Sequence, residues 1–155
     1  MVRTSKRVAA RPLIVKLSPN VTSIGQMAYV AQEAGADAVS LVNTFLAMAI
    51  DAETRRPRIA NVTAGLSGPA IKPIALRMVY DAAQAVKIPI IGMGGITTAT
   101  DVIEFMLAGA SAVQVGTASY FDPVATETLV EELTEYCRER RIEQLADLTG
   151  GLLTD

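Results

Sequence analysis

The chain has 155 residues, of which 50% are hydrophobic and 19% charged, and its formal net charge is −2. It contains no histidine and one cysteine, Cys137, which excludes histidine chemistry, an intrachain disulfide and a self-contained zinc or iron–sulfur site. The charge argues against nucleic-acid and membrane partners. No apolar run reaches the roughly 20 residues of a membrane span, and residues 1–12 lack a signal-peptide core, so we expect a cytoplasmic, single-domain protein over 1–155.

Strand and helix signals alternate along the first half of the chain. Residues 13–17 predict a strand, and residues 23–33 predict a helix that ends before Gly35. Residues 38–42 predict a second strand. The stretch 45–68 that follows has no clean helical period, and loops of this length are usually functional or partly structured, for example as a hairpin. Its arginines indicate either a functional element or a solvated or subunit-contact flap.

The second half continues the alternation. Helices are predicted over 69–86, 99–107 and 123–140, and residues 144–155 read as a helical remnant with a tail. Between them lie an apolar run that starts at Pro89 and a strand over 112–115. Cys137 shares a predicted helix face with leucines, so we interpret it as a packing residue and not as a nucleophile.

Two of these strands end in glycines. The third strand leads into Gly94-Gly95, and the fourth leads into Gly116-Thr117. Glycines at the carboxyl ends of buried parallel strands let backbone N–H groups approach a phosphate closely. Two such turns on neighbouring strands form one phosphate site where the last strands of a βα barrel meet.

An internal repeat indicates the barrel type. The sequence Ala-Gly-Ala-Asp-Ala-Val at 34–39 returns as Ala-Gly-Ala-Ser-Ala-Val at 108–113, each time at a predicted helix-to-strand junction. Repeated βα units favour a parallel α/β fold of the (β/α) TIM-barrel type. A full barrel needs eight units and we count four, so the expectation is a half-barrel of about four βα units with two bare edges. Its inner face is expected to expose Ile14, Ile90 and Val113.

Three polar residues at the strand ends suggest a ligand. Lys16 lies in an apolar strand, where a buried ammonium needs an anionic or electron-rich partner, or else belongs to an edge strand and reaches water. Asn43 and Thr44 end the second strand, where they suit either hydrogen bonds to a planar polar substrate or local turn chemistry.

Several motifs together resemble the dihydroorotate dehydrogenases, most closely the NAD-linked class, and the resemblance covers the C-terminal half of that family's barrel. The motifs are Val15–Asn20, Asn43-Thr44, Met48–Asp51, Gly65–Pro73, Gly92–Ile96 and Gln114–Thr117. The resemblance implies oxidation of dihydroorotate to orotate in pyrimidine biosynthesis, with FMN as cofactor. FAD and a 2Fe–2S cluster are expected only on a separate electron-transfer subunit, and a homo-oligomer is expected.

The resemblance also implies residue roles. Lys16 would lie beside the flavin and stabilise its reduced, anionic form, Val42 would offer a backbone contact, and Asn43 with Thr44 would bind the pyrimidine. The phosphate cradle would comprise Gly68, Gly94, Gly95, Gly116 and Thr117. No metal ligand and no catalytic base is expected in this chain, because the base of this class is a cysteine of the other half-barrel, and Cys137 does not match it.

Two positions depart from the family pattern. Ala47 and Ala64 stand where glycines are usual, so a positive φ at either would be strained. Alternatives remain a non-catalytic half-barrel or assembly partner, and a related flavin barrel that acts on another pyrimidine.

Overall fold

The computed structural model describes residues 1–154 and consists of a parallel sheet covered on one face by helices. Four strands, β1 (Ile14–Lys16), β2 (Ala38–Leu41), β7 (Ile90–Met93) and β8 (Ala112–Gln114), pair in the order β1-β2-β7-β8. All three pairings are parallel. Within the described residues β1 and β8 each keep one unpaired edge, as expected for half of a closed barrel.

Helices connect these strands, and local signals set their ends. The sheet-covering helices are α2 (Ile24–Glu33), α3 (Lys72–Ala85), α4 (Ala99–Leu107) and α6 (Ala125–Arg140). The Ser23 side chain caps α2 by accepting from the Gln26 amide, and Gly35 follows α2 with φ 93°. Thr98 and Asp101 form a reciprocal capping box at the start of α4. No described helix is long and apolar enough to cross a membrane.

Three short elements differ from the sequence prediction. Helix α1 (Val2–Val8) was not predicted, and it is held by an ion pair of 2.5 Å between Lys6 and Asp37. A separate helix α5 (Ala118–Phe121) precedes α6, because extended backbone at Asp122 interrupts the helical run. The predicted helical remnant at 144–155 reduces to a 3-10 turn at Leu145–Leu148.

The long 45–68 stretch is a hairpin that folds back on itself. Strand β3 (Phe45–Met48) pairs antiparallel with β6 (Thr63–Leu66), and the short strands β4 (Ile50–Asp51) and β5 (Arg56–Pro57) extend the hairpin. Ala47 and Ala64 lie directly opposite each other in this register. Neither has a positive φ, so the expected strain at these alanines is absent.

The two faces of the sheet are not those that the sequence suggested. Ile90 is only 2% exposed and points toward the helices, because it lies two residues before Gly92, where an added Cβ would stand 2.6 Å from Phe105 of α4. Val113 is in register with Gly92 and therefore shares that face. The predicted placement of Ile90 and Val113 on the exposed inner face is therefore wrong, whereas Ile14 is 51% exposed as expected.

Candidate active site

The two predicted glycine turns lie side by side at the carboxyl edge of the sheet. Gly94-Gly95 follows β7 directly, and Gly116-Thr117 follows the adjacent strand β8 after one residue. A third turn joins them, because Gly68 precedes the 3-10 turn that leads into α3. The prediction that the turns at 94–95 and 116–117 lie side by side at the carboxyl ends of adjacent strands is therefore confirmed.

Two of these glycines are required by the fold. Gly95 has φ 75°, and an added Cβ would lie 2.8 Å from the Gly68 carbonyl oxygen. Gly94 has φ 131°, and its added Cβ would lie 2.8 Å from the Ala75 Cβ. Gly116 is different, because nothing lies within 4 Å of an added Cβ there and its φ is not left-handed. A side chain at Gly116 would therefore not clash with the protein, but it would occupy space that is open to a ligand.

The amides of the turns are available to a ligand. Among the hydrogen bonds of residues 1–154, no turn or side-chain bond uses the amide N–H of Gly94, Gly95, Gly116 or Thr117 as donor. Unpaired N–H groups that converge on one point form a site for an anion. The Thr117 hydroxyl is tied to the Ser67 hydroxyl at 2.9 Å, which joins the β8 turn to the segment before Gly68.

The opposite end of the site is built from the ends of β1 and β2. Asn43 and Thr44 are both exposed there, and Lys16 is exposed on the edge strand β1. In this chain Lys16 is therefore not buried, which matches the edge-strand alternative for its environment. Thr44 lies against the hairpin, where an added Cβ on Gly65 would stand 2.2 Å from the Thr44 hydroxyl.

Asn20 connects the segments at this end of the site, although the sequence analysis assigned it no role of its own. Its Nδ2 donates to the Thr44 carbonyl at 3.1 Å, and its Oδ1 accepts from the Leu46 amide at 3.0 Å. The carboxamide thus bridges the end of β1 to the start of the hairpin. The only available signal was its place in the Val15–Asn20 motif.

A single cavity of about 570 Å³ connects the two ends. All nine residues proposed from the sequence line it: Lys16, Val42, Asn43, Thr44, Gly68, Gly94, Gly95, Gly116 and Thr117. Its lining includes no carboxylate, and Lys16 is its one charged side chain. The single cation and the unpaired turn amides suit an anionic ligand.

Other residues that the sequence singled out lie outside this cavity. Cys137 is half-buried on α6, and the hairpin arginines Arg55, Arg56 and Arg58 are exposed away from the cavity lining. Within residues 1–154 there is no cluster of three metal-ligating side chains.

A parallel sheet with helices on one face and glycine turns at its carboxyl edge defines a segment of a βα barrel. The profile of the dihydroorotate dehydrogenase family matches residues 1–137, and the chain belongs to that family. It is 60% identical over 144 residues to the dihydroorotate dehydrogenase B (NAD(+)) catalytic subunit of Geotalea uraniireducens, covering 93% of this chain and 47% of the relative. A Solibacter usitatus protein named for dihydroorotate dehydrogenase A (fumarate) is also 60% identical, over 98% of this chain and 50% of its own length.

The chain therefore spans about half the length of these relatives. Among solved structures, the Eimeria tenella dihydroorotate dehydrogenase, crystallised with ferulenol, matches with a TM-score of 0.75 and 31% identity. That match covers 91% of this chain and 38% of the crystallised one. The similarity thus extends over nearly all of the sheet and helices described above.

Proposed function

We propose that this chain forms the C-terminal half of an FMN-dependent dihydroorotate dehydrogenase barrel, which oxidises dihydroorotate to orotate. The observation that carries the proposal is the cavity that unites the glycine turns with Lys16, Asn43 and Thr44. Dihydroorotate dehydrogenases depend on flavin, and the turns suit the phosphate of FMN. The open space at Gly116 and the unpaired turn amides support this fit.

The residues of this chain have distinct roles in the proposal. Turn amides of Gly94, Gly95, Gly116 and Thr117 bind the phosphate, and Gly68 keeps that surface free of a side chain. Lys16 supplies positive charge where negative charge develops during the reaction. Asn43 and Thr44 donate and accept hydrogen bonds to orient the pyrimidine, and the Val42 backbone contacts the cofactor. The chemistry that FMN would supply when bound is that of a hydride acceptor.

Proton removal requires a further group. The cavity lining includes no carboxylate, cysteine or histidine. The resemblance to the NAD-linked class implies a cysteine base on the other half-barrel, so we infer that the base comes from outside this wall. We infer that four additional βα units pair with the open edges of β1 and β8, close an eight-stranded barrel and carry this base on a loop. The high identity to an NAD-linked catalytic subunit supports an electron-transfer subunit with FAD and a 2Fe–2S cluster as a further partner.

Complementation tests this proposal. The purified chain is loaded with FMN and assayed for orotate formation with an artificial acceptor, alone and with the first four βα units of a relative. Without a base we expect the chain alone to fall about two to four orders of magnitude below the complemented pair. Gly116→Val in the complemented pair is expected to lower FMN affinity by filling the open space. Full turnover by the chain alone, or none with its complement, would contradict the proposal.

A further inference from the structure

A partly buried ion-pair network lies next to the glycine turn that follows β7, outside the cavity lining. Lys72 begins α3, and its ammonium lies 2.5 Å from Asp101 Oδ1 and 2.7 Å from Glu104 Oε2. Asp101 is 6% exposed, although it is charged. Burial alone would raise the pKa of Asp101, but hydrogen bonds from Lys72, Thr97 and Thr98 lower it to about 2.

The network connects α3 to the turn itself. Asp101 Oδ2 accepts from the Thr97 amide at 2.8 Å, the Thr97 hydroxyl at 3.0 Å and the Thr98 amide at 2.9 Å. At the other end of the turn, an added Cβ on Gly95 would lie 2.9 Å from the Lys72 Cβ. The segment 94–98 is therefore held by backbone packing on α3 at one end and by a carboxylate tied to α3 at the other.

We propose that Lys72 and Asp101 are positioning residues that fix the segment 94–98 so that its amides converge on a phosphate monoester, an inference that rests on the proposed function. Lys72 is not a ligand here, because its ammonium is held by two carboxylates and neither Lys72 nor Asp101 lines the cavity. The pair acts through the turn, as second-layer partners commonly orient the groups that touch a ligand.

A double variant separates positioning from electrostatics. The network has one cation and two carboxylates, so its net charge is −1. The double variant Lys72→Met/Asp101→Asn keeps only the carboxylate of Glu104, so the net charge of the network stays at −1. The ion pair that connects α3 to the turn through Asp101 is lost. The matched control is Arg77→Met with Asp81→Asn, which removes a 2.6 Å ion pair from the exposed side of the same helix, away from the cavity.

The readout is the ratio of FMN affinity to riboflavin affinity, because riboflavin lacks only the phosphate. We expect the tie-breaking double variant to lose about tenfold or more in FMN affinity while riboflavin affinity stays unchanged. The control should keep both affinities. A folded Lys72→Met/Asp101→Asn protein with the wild-type ratio would overturn the inference. If that protein does not fold, Lys72→Met/Glu104→Gln, which also keeps the net charge at −1 and leaves the capping box of Asp101 in place, should lower the ratio by a smaller factor.

A second measurement keeps this inference distinct from the proposed function. If the wild-type chain shows no preference for FMN over riboflavin, the phosphate site itself is wrong. Amide hydrogen exchange at Thr97 and Thr98 in the ligand-free chain still tests the ion pair, because both amides donate to Asp101. We expect the Lys72→Met/Asp101→Asn variant to exchange these two amides faster while the amides of β2 are unaffected. Unchanged exchange at Thr97 and Thr98 would show that the pair does not hold the turn.

Discussion

The two ends of the cavity are built in different ways: the end proposed to bind the phosphate (the phosphate end) and the end proposed to bind the pyrimidine (the pyrimidine end). At the phosphate end, left-handed glycines pack on α3, and the nearly buried Asp101 secures the turn. At the pyrimidine end, Lys16 is exposed on the edge strand β1, and Asn43 and Thr44 are exposed beside the hairpin, where Asn20 links the Thr44 carbonyl to the Leu46 amide. The chain thus provides the phosphate end within its own fold, but only one wall of the pyrimidine end.

The difference predicts where substitutions should matter for folding. Gly95→Ala would force a side chain into a left-handed backbone and place its Cβ against the Gly68 carbonyl. We expect a loss of about 3 kcal/mol in the free energy of unfolding, measured by urea denaturation. Gly116→Ala is the matched control and should leave stability unchanged, because its Cβ meets nothing. Equal effects of the two substitutions would contradict the packing described for the phosphate end.

Substitutions at the pyrimidine end should affect the reaction and not the fold. In the complemented barrel, Lys16→Ala is expected to slow flavin reduction by about tenfold or more, with a smaller loss of substrate affinity. Stopped-flow absorbance measures the reduction rate. Ile14→Ala, on the same exposed face of β1, is the control and should keep the rate. Equal losses in rate and affinity would instead assign Lys16 the role of a surface lysine.

The phosphate end should also show an acid limit of stability. The folded pKa of Asp101 is about 2, below its ordinary value of 3.8. Its contribution is therefore complete above about pH 5 and is lost as the pH falls through 2, by about 2 kcal/mol. Denaturation of the wild type and of Asp101→Asn between pH 5 and pH 2 measures this loss. The variant should lack that part of the pH dependence, and identical profiles would contradict the assigned environment.

The sequence predicted the glycines of the phosphate end, but not the side chains that hold the glycine turn in place. Gly94, Gly95 and Gly116 were identifiable because glycines that follow apolar strands indicate a close approach of the backbone to a ligand or a neighbouring element. Ile90 was assigned to the wrong face of the sheet. Residues Pro89 to Met93 include no polar side chain, so the sequence does not show which of them face the helices and which face the open side. Lys72 and Asp101 could not be identified, because their pairing joins residues 29 positions apart and no local pattern reports such a contact.

The hairpin also shows that contacts between residues distant in the sequence could not be predicted from local patterns. Its existence was anticipated as one possible structure for the 45–68 stretch, but the pairing of Ala47 with Ala64 was not. In the sequence the two alanines are separate departures from the family pattern. In the structure they are neighbours across one ladder, so a small residue faces a small residue there.

The central claim is that this chain holds the complete phosphate site of a flavin mononucleotide. Amide chemical shifts of the isotope-labelled chain, recorded with FMN and separately with riboflavin, test it most directly. We predict that FMN shifts the amides of Gly94, Gly95, Gly116 and Thr117 and that riboflavin leaves them in place. Saturating FMN without a change at these four amides, or equal shifts with riboflavin, would contradict the claim.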